Sequence, residues 1–541
     1  MLILADFLDS LLRGAVLVSL SLALGGVGWG LWVLRGMPAD TPRPLVTRGL
    51  RLLELGAITL AAGQTLLLAL KSARLMDSLG PDALGAFAGT EHFDAGMARA
   101  GLALALAVAA RVLARAPSSA RRWVVVTGLA GLVALSSAWL THATGRLEHR
   151  GPLMVLTVLH QVGAAIWLGG LIQLAIAGRL ARRDADVDAR WPELVARFST
   201  LAITAVVVLV ASAAPLAWTY TGSADALVGT GYGALVLTKT IMLASTLALG
   251  ALNFATARGG ASGARAAALR ARLPRLVEAE AILLVMIVFA ASALSSQPPG
   301  VDLPDAERAT VAEVVEVFRP KVPSLHTPSV ETMRENRARA ATGERSHDAY
   351  RWSNFSHNVS GLILLGMSLY ALAGFASGRG WGRHWPLGFL ALAAFIYLRA
   401  AANEGAWPFG SIGLAQIDAE GLQHRMAAAL VVGLGAVEWR AQAWTASRRR
   451  VAYVFPVLAA AGGILLLAHS HAAFQLKTSF LVQVTHTTIG AFAAFLVAAR
   501  WLELGLTPPW RRVAGVAASA SMLAIALILI FYREANIVLS P

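Results

Sequence analysis

The sequence of 541 residues contains no cysteine and few charged residues. The absence of cysteine excludes disulfide bonds and thiolate metal sites, so any metal ion must be bound by His, Met, carboxylate or backbone oxygen. Charged residues make up 14% of the chain against 57% hydrophobic residues, a balance that excludes one soluble core of this length. Phosphate-binding loops and paired nucleophile and base residues are also lacking, and we therefore do not expect an enzyme.

Long apolar runs fill most of the sequence. The mean hydropathy is +0.62, and the runs are about twenty residues long, the length at which an α-helix crosses a bilayer. They lack the alternation that is typical of a membrane β-barrel. The predicted fold is all-α, a polytopic transmembrane bundle of about fourteen helices. The runs lie at residues 11–34, 50–70, 97–114, 123–141, 153–178, 199–220, 233–257, 277–295, 357–375, 385–401, 424–440, 452–469, 486–503 and 513–532.

Arginine is distributed unevenly among the loops. Clusters such as Arg179, Arg182 and Arg183 follow the odd-numbered runs. Because basic loops are retained on the cytoplasmic side, this pattern predicts that both termini lie outside. Topology also accounts for the formal net charge of +15, and we therefore do not expect nucleic-acid binding.

A polar, charge-rich segment at residues 296–356 interrupts the series of apolar runs. It follows an even-numbered run and is therefore predicted to lie outside the membrane, with a short helix near residues 306–318 where apolar residues recur at helical spacing. The chain is thus predicted to comprise an eight-helix membrane domain at residues 1–295, this connecting segment, and a six-helix, histidine-rich membrane domain at residues 357–541.

Histidine is concentrated at the predicted outer ends of the helices. The members in the second half are His357, His424, His469, His471 and His486, and those in the first half are His142 and His160. Neutral imidazole is the commonest metal ligand, and a site of imidazoles without thiolate favours copper or zinc over magnesium or calcium. The thioethers of Met426 and Met97 are further candidate ligands. We therefore predict one metal site in each half.

The same histidines permit other interpretations. His469 and His471 are separated by about 200° on an ideal helix, so either the helix end unwinds or only one of them is a ligand. Helices that carry histidine can also hold a porphyrin between them, which would make the chain a heme-binding electron-transfer or metal-reducing protein. A metal-free assembly or sensing protein is a third alternative.

Few polar residues lie between these histidines and the predicted cytoplasmic side. The main ones are Lys239, Gln161, Gln173, Asn253, Glu278 and Glu280. For Glu278 and Glu280 we expect interfacial ion pairs with Arg275 or Arg272. A continuous series of soft ligands across the membrane is not visible.

Several motifs resemble the copper-resistance protein D (CopD) family of bacterial inner-membrane proteins. In the first half they are HQVGAAIWLGGLIQL from His160, RFSTLAI, GYGALVLTKT and VEAEAILLVM. In the second half, RWSNFSHNVSGLILL, LQHRMAAALVVGLGAVEW, YVFPVLAAAGGILLLAHSHA, VTHTTIGAF and FYREAN are similar to the C-terminal extension of the longer members.

The resemblance implies copper homeostasis at the bacterial inner membrane. Family members are regarded as moving copper across that membrane, often beside a separate periplasmic copper-binding protein of the CopC type. The seven histidines given above match histidine positions of the family. The resemblance therefore implies that the chain takes copper at the periplasmic face and transports it toward the cytoplasm.

Overall fold

The computed structural model describes residues 2–35, 37, 41–258, 264–339, 347–377, 380–404, 417, 419–443, 449–468 and 477–534. Every regular element within these residues is helical, which confirms the all-α prediction.

The first half of the chain forms ten α-helices within the described residues. They are α1 (Leu2–Gly28, continued by a π-helical turn at Trp29–Leu34), α2 (Arg43–Leu79), α3 (Asp82–Ala88), α4 (Glu91–Arg115), α5 (Ala120–Ser136), α6 (Arg150–Ala181), α7 (Ala185–Thr221), α8 (Ala224–Gly229), α9 (Gly231–Arg258) and α10 (Ala264–Leu294). Short 3₁₀ turns at Ser137–Leu140 and His142–Gly145 connect α5 to α6.

The connecting segment carries two short helices, α11 (Val311–Phe318) and α12 (Val330–Arg339). The helix predicted near residues 306–318 is thus present, although shorter. The second half contains α13 (His347–Ser377), α14 (Leu387–Glu404), α15 (Ala419–Ala443), α16 (Arg449–Ala452), α17 (Val454–Ala468), α18 (Lys477–Gly505) and α19 (Trp510–Phe531).

Thirteen helices among the described residues are long and apolar enough to cross a membrane, and the chain is a multi-pass membrane protein. The remaining predicted run, at residues 424–440, lies within α15. Polar residues such as Gln423, His424 and Arg425 in its first turns lower its hydropathy. The orientation of the termini and the division into three domains stay predictions.

Several helices extend beyond their apolar runs. Helix α13 begins at His347 and α18 at Lys477, so that His357 and His486 lie within helices and not at their first residues. His92 precedes the apolar run at residues 97–114 but is helical, because α4 begins at Glu91 and the Thr90 hydroxyl accepts a hydrogen bond from the backbone N–H of Phe93. Capping and intrahelical hydrogen bonds continue a helix into polar sequence, where hydropathy gives no signal.

The two halves share a hydrophobic core. Met242 of α9 and Met286 of α10 pack in one buried cluster with Leu467 of α17 and Ala494 of α18. Helix α10 therefore joins the predicted membrane domains over much of its length.

The connecting segment is docked on both halves. The Nη1 and Nη2 atoms of Arg146 donate to the carboxylate of Asp302 at 2.8 Å, and the N–H of Ala309 donates to the carbonyl of Gly229 at 2.9 Å. On the other side, Val317 of α11 packs in a buried cluster with Phe480 of α18. The segment thus contacts the turn before α6, the end of α8 and the start of α18.

Acidic and basic residues pair at the opposite end of the bundle. Glu278 accepts hydrogen bonds from Arg179 at 2.9 Å and from Arg275 at 2.8 Å, as expected for an interfacial anchor. For Glu280 the prediction of an arginine partner is wrong. Its carboxylate accepts from Trp167 at 3.2 Å and from Asn253 at 2.6 Å, and it forms no ion pair among the described residues.

Candidate functional site

Two of the predicted second-half ligands meet at one point of the bundle. The ring centroids of His357 on α13 and His486 on α18 are 5.9 Å apart, with the ring planes at 90°. Tyr532, which follows α19, stacks on His357 at a centroid distance of 4.0 Å and lies 6.1 Å from His486. The packing of three helices therefore brings together two imidazoles and a phenol that are distant in sequence.

Backbone carbonyls fix the tautomer of both imidazoles. The Nδ1 atom of His357 lies 2.9 Å from the carbonyl oxygen of Ser353, and that of His486 lies 3.0 Å from the carbonyl oxygen of Val482. Because a carbonyl oxygen only accepts, each Nδ1 carries the proton and each Nε2 carries the lone pair. Histidine ligands of metal ions commonly have this arrangement, with the second nitrogen donating to a carbonyl.

Asn358 holds this site in place. Its side chain is fully buried and donates to the carbonyls of Leu529 and Tyr532 at 3.0 and 3.1 Å. Its Oδ1 accepts from the N–H of Ser324 and from Arg533, both at 2.6 Å. The amide thus ties α13 to the end of α19 and to the connecting segment, next to His357.

The structure describes only one of the three other predicted second-half histidines, His424. His424 and Met426 are exposed on α15, Met426 to 47%. His469 and His471 lie outside the described residues. Within the described part of the chain, no three His, Cys, Asp or Glu side chains are grouped closely enough to hold one metal ion. Among the described residues the structure therefore brings together His357 and His486, and their role in metal binding stays a prediction.

The first-half candidates share the wall of a cavity of about 360 Å³, which lies among helices of that half. His142, in the turn before α6, lines this cavity, and its buried Nε2 has no hydrogen-bond partner among the described residues. His160 on α6 donates from Nδ1 to the carbonyl of Leu209 at 3.3 Å, which leaves its lone pair on Nε2. The tautomer of His160 and the surroundings of His142 thus permit both rings to coordinate a metal ion.

His142 lies between membrane-spanning segments, and its environment favours the neutral ring. Burial and, to a smaller extent, the charge of Arg13 lower the pKa of His142 below its ordinary value. Neutral imidazole is the form that binds a metal ion. His92 lines the same cavity, but its Nε2 accepts a hydrogen bond from the ammonium of Lys71 at 2.7 Å. Met97 is 50% exposed and is not among the lining residues.

Sequence reasoning missed the basic residues of this cavity. Arg13, Lys71 and Arg99 line it together with Lys239. The sequence did contain a signal. Arg13, Lys71 and Arg99 lie in or beside apolar runs, near the predicted outer ends of the helices. The positive-inside pattern does not account for basic residues at those ends.

Comparison with known proteins supports the resemblance found in the sequence. Residues 192–294, which extend from α7 to the end of α10, match the family model described as Copper resistance protein D, CopD. Over this region the chain is similar to the CopD family. The CopD region contributes Lys239 to the cavity and the Leu209 carbonyl that accepts from His160.

A curated relative has a copper-related name. The Copper transport protein CutJ of Bacillus subtilis (strain 168) is 29% identical to the chain over 164 residues, which are 30% of this chain and 28% of CutJ. The chain therefore matches less than a third of that relative's length. No solved structure matches the chain.

Proposed function

We propose that this chain binds copper at the outer ends of its helices and passes it across the bacterial inner membrane toward the cytoplasm. The observation that carries the proposal is the meeting of His357 and His486, with ring centroids 5.9 Å apart. At metal–nitrogen distances of about 2 Å, two imidazoles that share an ion have centroids on the order of 6 Å apart. The copper-related names of the family and of CutJ support the choice of metal.

The donor chemistry is consistent with copper as the transported ion. Both imidazoles carry the lone pair on Nε2, and a site without thiolate suits copper or zinc. In the sequence, His469 and His471 precede α18 and are candidates for the remaining ligands. A separate periplasmic protein of the CopC type is the proposed donor of copper to this site.

The first half supplies a second station on the proposed route. The cavity that contains His142 and His160 is also lined by Trp167, whose indole N–H donates to Glu280. Asn253 donates to the same carboxylate from α9. Glu280 is therefore the polar group that follows the cavity on the way toward the arginine-rich end of the bundle.

Metal analysis of the purified protein tests the second-half site. After incubation with copper and removal of excess metal, the wild type should retain at least about one copper ion per chain, and His357→Gln and His486→Gln should each weaken copper affinity by at least about tenfold. His326→Gln is the matched control, because His326 is exposed in the connecting segment. The control should bind copper as the wild type does.

Other outcomes would contradict the proposal. Iron with a porphyrin absorption band, lost in His357→Gln and His486→Gln, would assign these histidines to heme and support the electron-transfer alternative. If a variant that carries both His357→Gln and His486→Gln retained all of its copper, the two histidines would be structural. For a site that does bind copper, uptake by proteoliposomes of defined orientation then measures the direction of transport.

A further inference from the structure

The first-half cavity has an unusual balance of charge. Four cationic side chains line it, Arg13 from α1, Lys71 from α2, Arg99 from α4 and Lys239 from α9, and no Asp or Glu lines it among the described residues. Cations inside a membrane protein are normally paired, because an uncompensated charge is costly where water is scarce. The cavity therefore has more positive charge than the chain itself compensates.

The hydrogen bonds of these cations confirm the imbalance. Arg13 donates to the carboxylate of Asp9 at 2.5 Å. Asp9 does not itself line the cavity, and it supplies a counter-charge for one of the four cations. Among the described residues, buried Arg99 donates only to the hydroxyls of Ser136 and Ser137, and Lys71 donates to His92. The ammonium of Lys239 has no hydrogen-bond or ion-pair partner among the described residues. Three of the four cations thus lack an acidic partner.

Polar groups that could recognise a ligand lie in the same wall. Gln161 has a buried Oε1 without a partner, and His142 has a buried Nε2 without one. The volume of about 360 Å³ is that of a small-molecule site, in which apolar walls and a few convergent polar groups are typical. Four positive charges repel a bare divalent cation, so a copper ion on the proposed route would enter this cavity together with an anion.

We propose that this cavity is a binding site for a small, multiply charged oxyanion whose carboxylate or phosphate oxygens supply the counter-charge for Lys239, Arg99 and Lys71. The ligand is a soluble organic anion or the anionic headgroup of a lipid, since both present the same oxygens to the cations. This inference goes beyond the proposed copper function, and it holds whether or not the anion carries a metal ion.

Thermal unfolding in nanodiscs of zwitterionic phosphatidylcholine tests the proposal on metal-free protein, with citrate as the probe at constant ionic strength. Citrate should raise the Tm of the wild type in a saturable way, and isothermal titration calorimetry should show binding. Lys239→Gln removes an unpaired cation, so the Tm measured in the absence of citrate should rise. The same variant should bind citrate at least about tenfold more weakly. Lys71→Gln is a second variant, in case the first one fails to fold.

Lys321→Gln is the matched control, because Lys321 pairs with Glu316 in the connecting segment and does not line the cavity. It should respond to citrate as the wild type does. If citrate is inactive but phosphatidylglycerol in the nanodisc raises the Tm through Lys239, the anion is a lipid headgroup. If neither anion acts, or if Lys239→Gln and Lys321→Gln respond equally, the proposal is wrong. Because no copper is present, such a failure leaves the proposal for His357 and His486 intact.

Discussion

At the scale of single residues, Asn358 is the side chain on which the geometry of the second-half site depends. It uses both amide hydrogens and both lone pairs of its oxygen in four hydrogen bonds, to α19, to Arg533 and to the connecting segment. A fully satisfied buried amide is stabilising, whereas its removal takes one hydrogen bond from each of several buried groups.

Asn358→Ala is therefore expected to lower the free energy of unfolding by about 2–4 kcal/mol, because two carbonyls, one N–H and Arg533 each lose one hydrogen bond at the same time. Denaturant or thermal unfolding in detergent measures this loss. Asn336→Ala is the control, since Asn336 makes one hydrogen bond, to Asp348, at a less buried position. Equal losses in the two variants would show that the four bonds contribute little.

The sequence singled out His357 and His486 by residue type and by predicted side of the membrane, but it could not choose them from among the seven candidate histidines. Their selection depends on which faces of α13 and α18 meet, and this is decided by packing. For the same reason the sequence could not show that Arg13, Lys71, Arg99 and Lys239 line one cavity with His142 and His160.

At the scale of helices, close backbone contact joins α1 to α6. A Cβ atom added to Gly169 of α6 would lie 1.8 Å from the carbonyl oxygen of Ser21, and one added to Gly25 of α1 would lie 2.5 Å from the Cα of Gly169. Small residues permit such crossings in membranes, where van der Waals packing is the main force between helices.

Gly169→Ala should therefore separate α1 from α6 and lower the Tm clearly, because a backbone atom cannot give way as a flexible side chain can. Gly101→Ala is the matched control, since Gly101 lies within α4 and an added Cβ would meet nothing within 4 Å. The control should be neutral or stabilising by about 0.5–1 kcal/mol, the helix preference of Ala over Gly. A Tm for Gly169→Ala at or above that of Gly101→Ala would contradict the crossing.

Helix number was largely predictable and helix bounds were not. About twenty apolar residues suffice to identify a span, but α13 and α18 begin in polar sequence that hydropathy does not assign to a helix. The Gly-Gly pair at residues 169 and 170 was visible in the sequence, whereas its partner on α1 was not.

At the scale of the whole molecule, the connecting segment links the two halves at one end of the bundle. Helix α11 begins with a capping box, in which Thr310 and Glu313 bond each other's backbone N–H groups. The carboxylate of Glu313 also pairs with Lys477 at the start of α18, at 2.5 Å. This ion pair holds the connecting segment against the first turn of α18, the helix that contains His486.

The docking of α11 should depend on pH. Burial opposes ionisation of Glu313, but hydrogen bonds from Lys477 and Thr310 outweigh it and hold the pKa of this carboxyl below its ordinary value of 4.5. A lowered pKa means that the stabilisation is present above pH 4.5 and is lost as the pH falls through the lowered value. We therefore expect α11 to loosen in acid and to be docked at neutral pH.

Thiol labelling measures this docking, because the chain has no cysteine of its own. Val317→Cys places a single thiol at a position that is 3% exposed, and its reaction with 4,4′-dithiodipyridine should accelerate in acid. With Glu313→Gln added, the thiol should react quickly at neutral pH as well. Ala494→Cys, in the core shared by the two halves, reports general unfolding and should stay unreactive. Labelling of Val317→Cys that does not change with pH would contradict the ionic contact.

The sequence by itself determined the class of this protein. Composition and run length require membrane helices, because only closed backbone hydrogen bonding is tolerated in hydrocarbon. The arginine pattern predicts the orientation, and local motifs resemble the CopD family, whose model matches residues 192–294. Each of these features is a property of a continuous stretch of chain and can be read without knowing its neighbours.

Only the tertiary structure decided which side chains share a site. It placed His357 beside His486 and Tyr532, gave Glu280 neutral partners instead of arginine, and gathered four cations around one cavity. The physical reason is that one residue moves a side chain by about 100° around a helix, so residues of identical type face lipid or protein according to how the helices pack. That rotation is set by contacts between segments far apart in the chain.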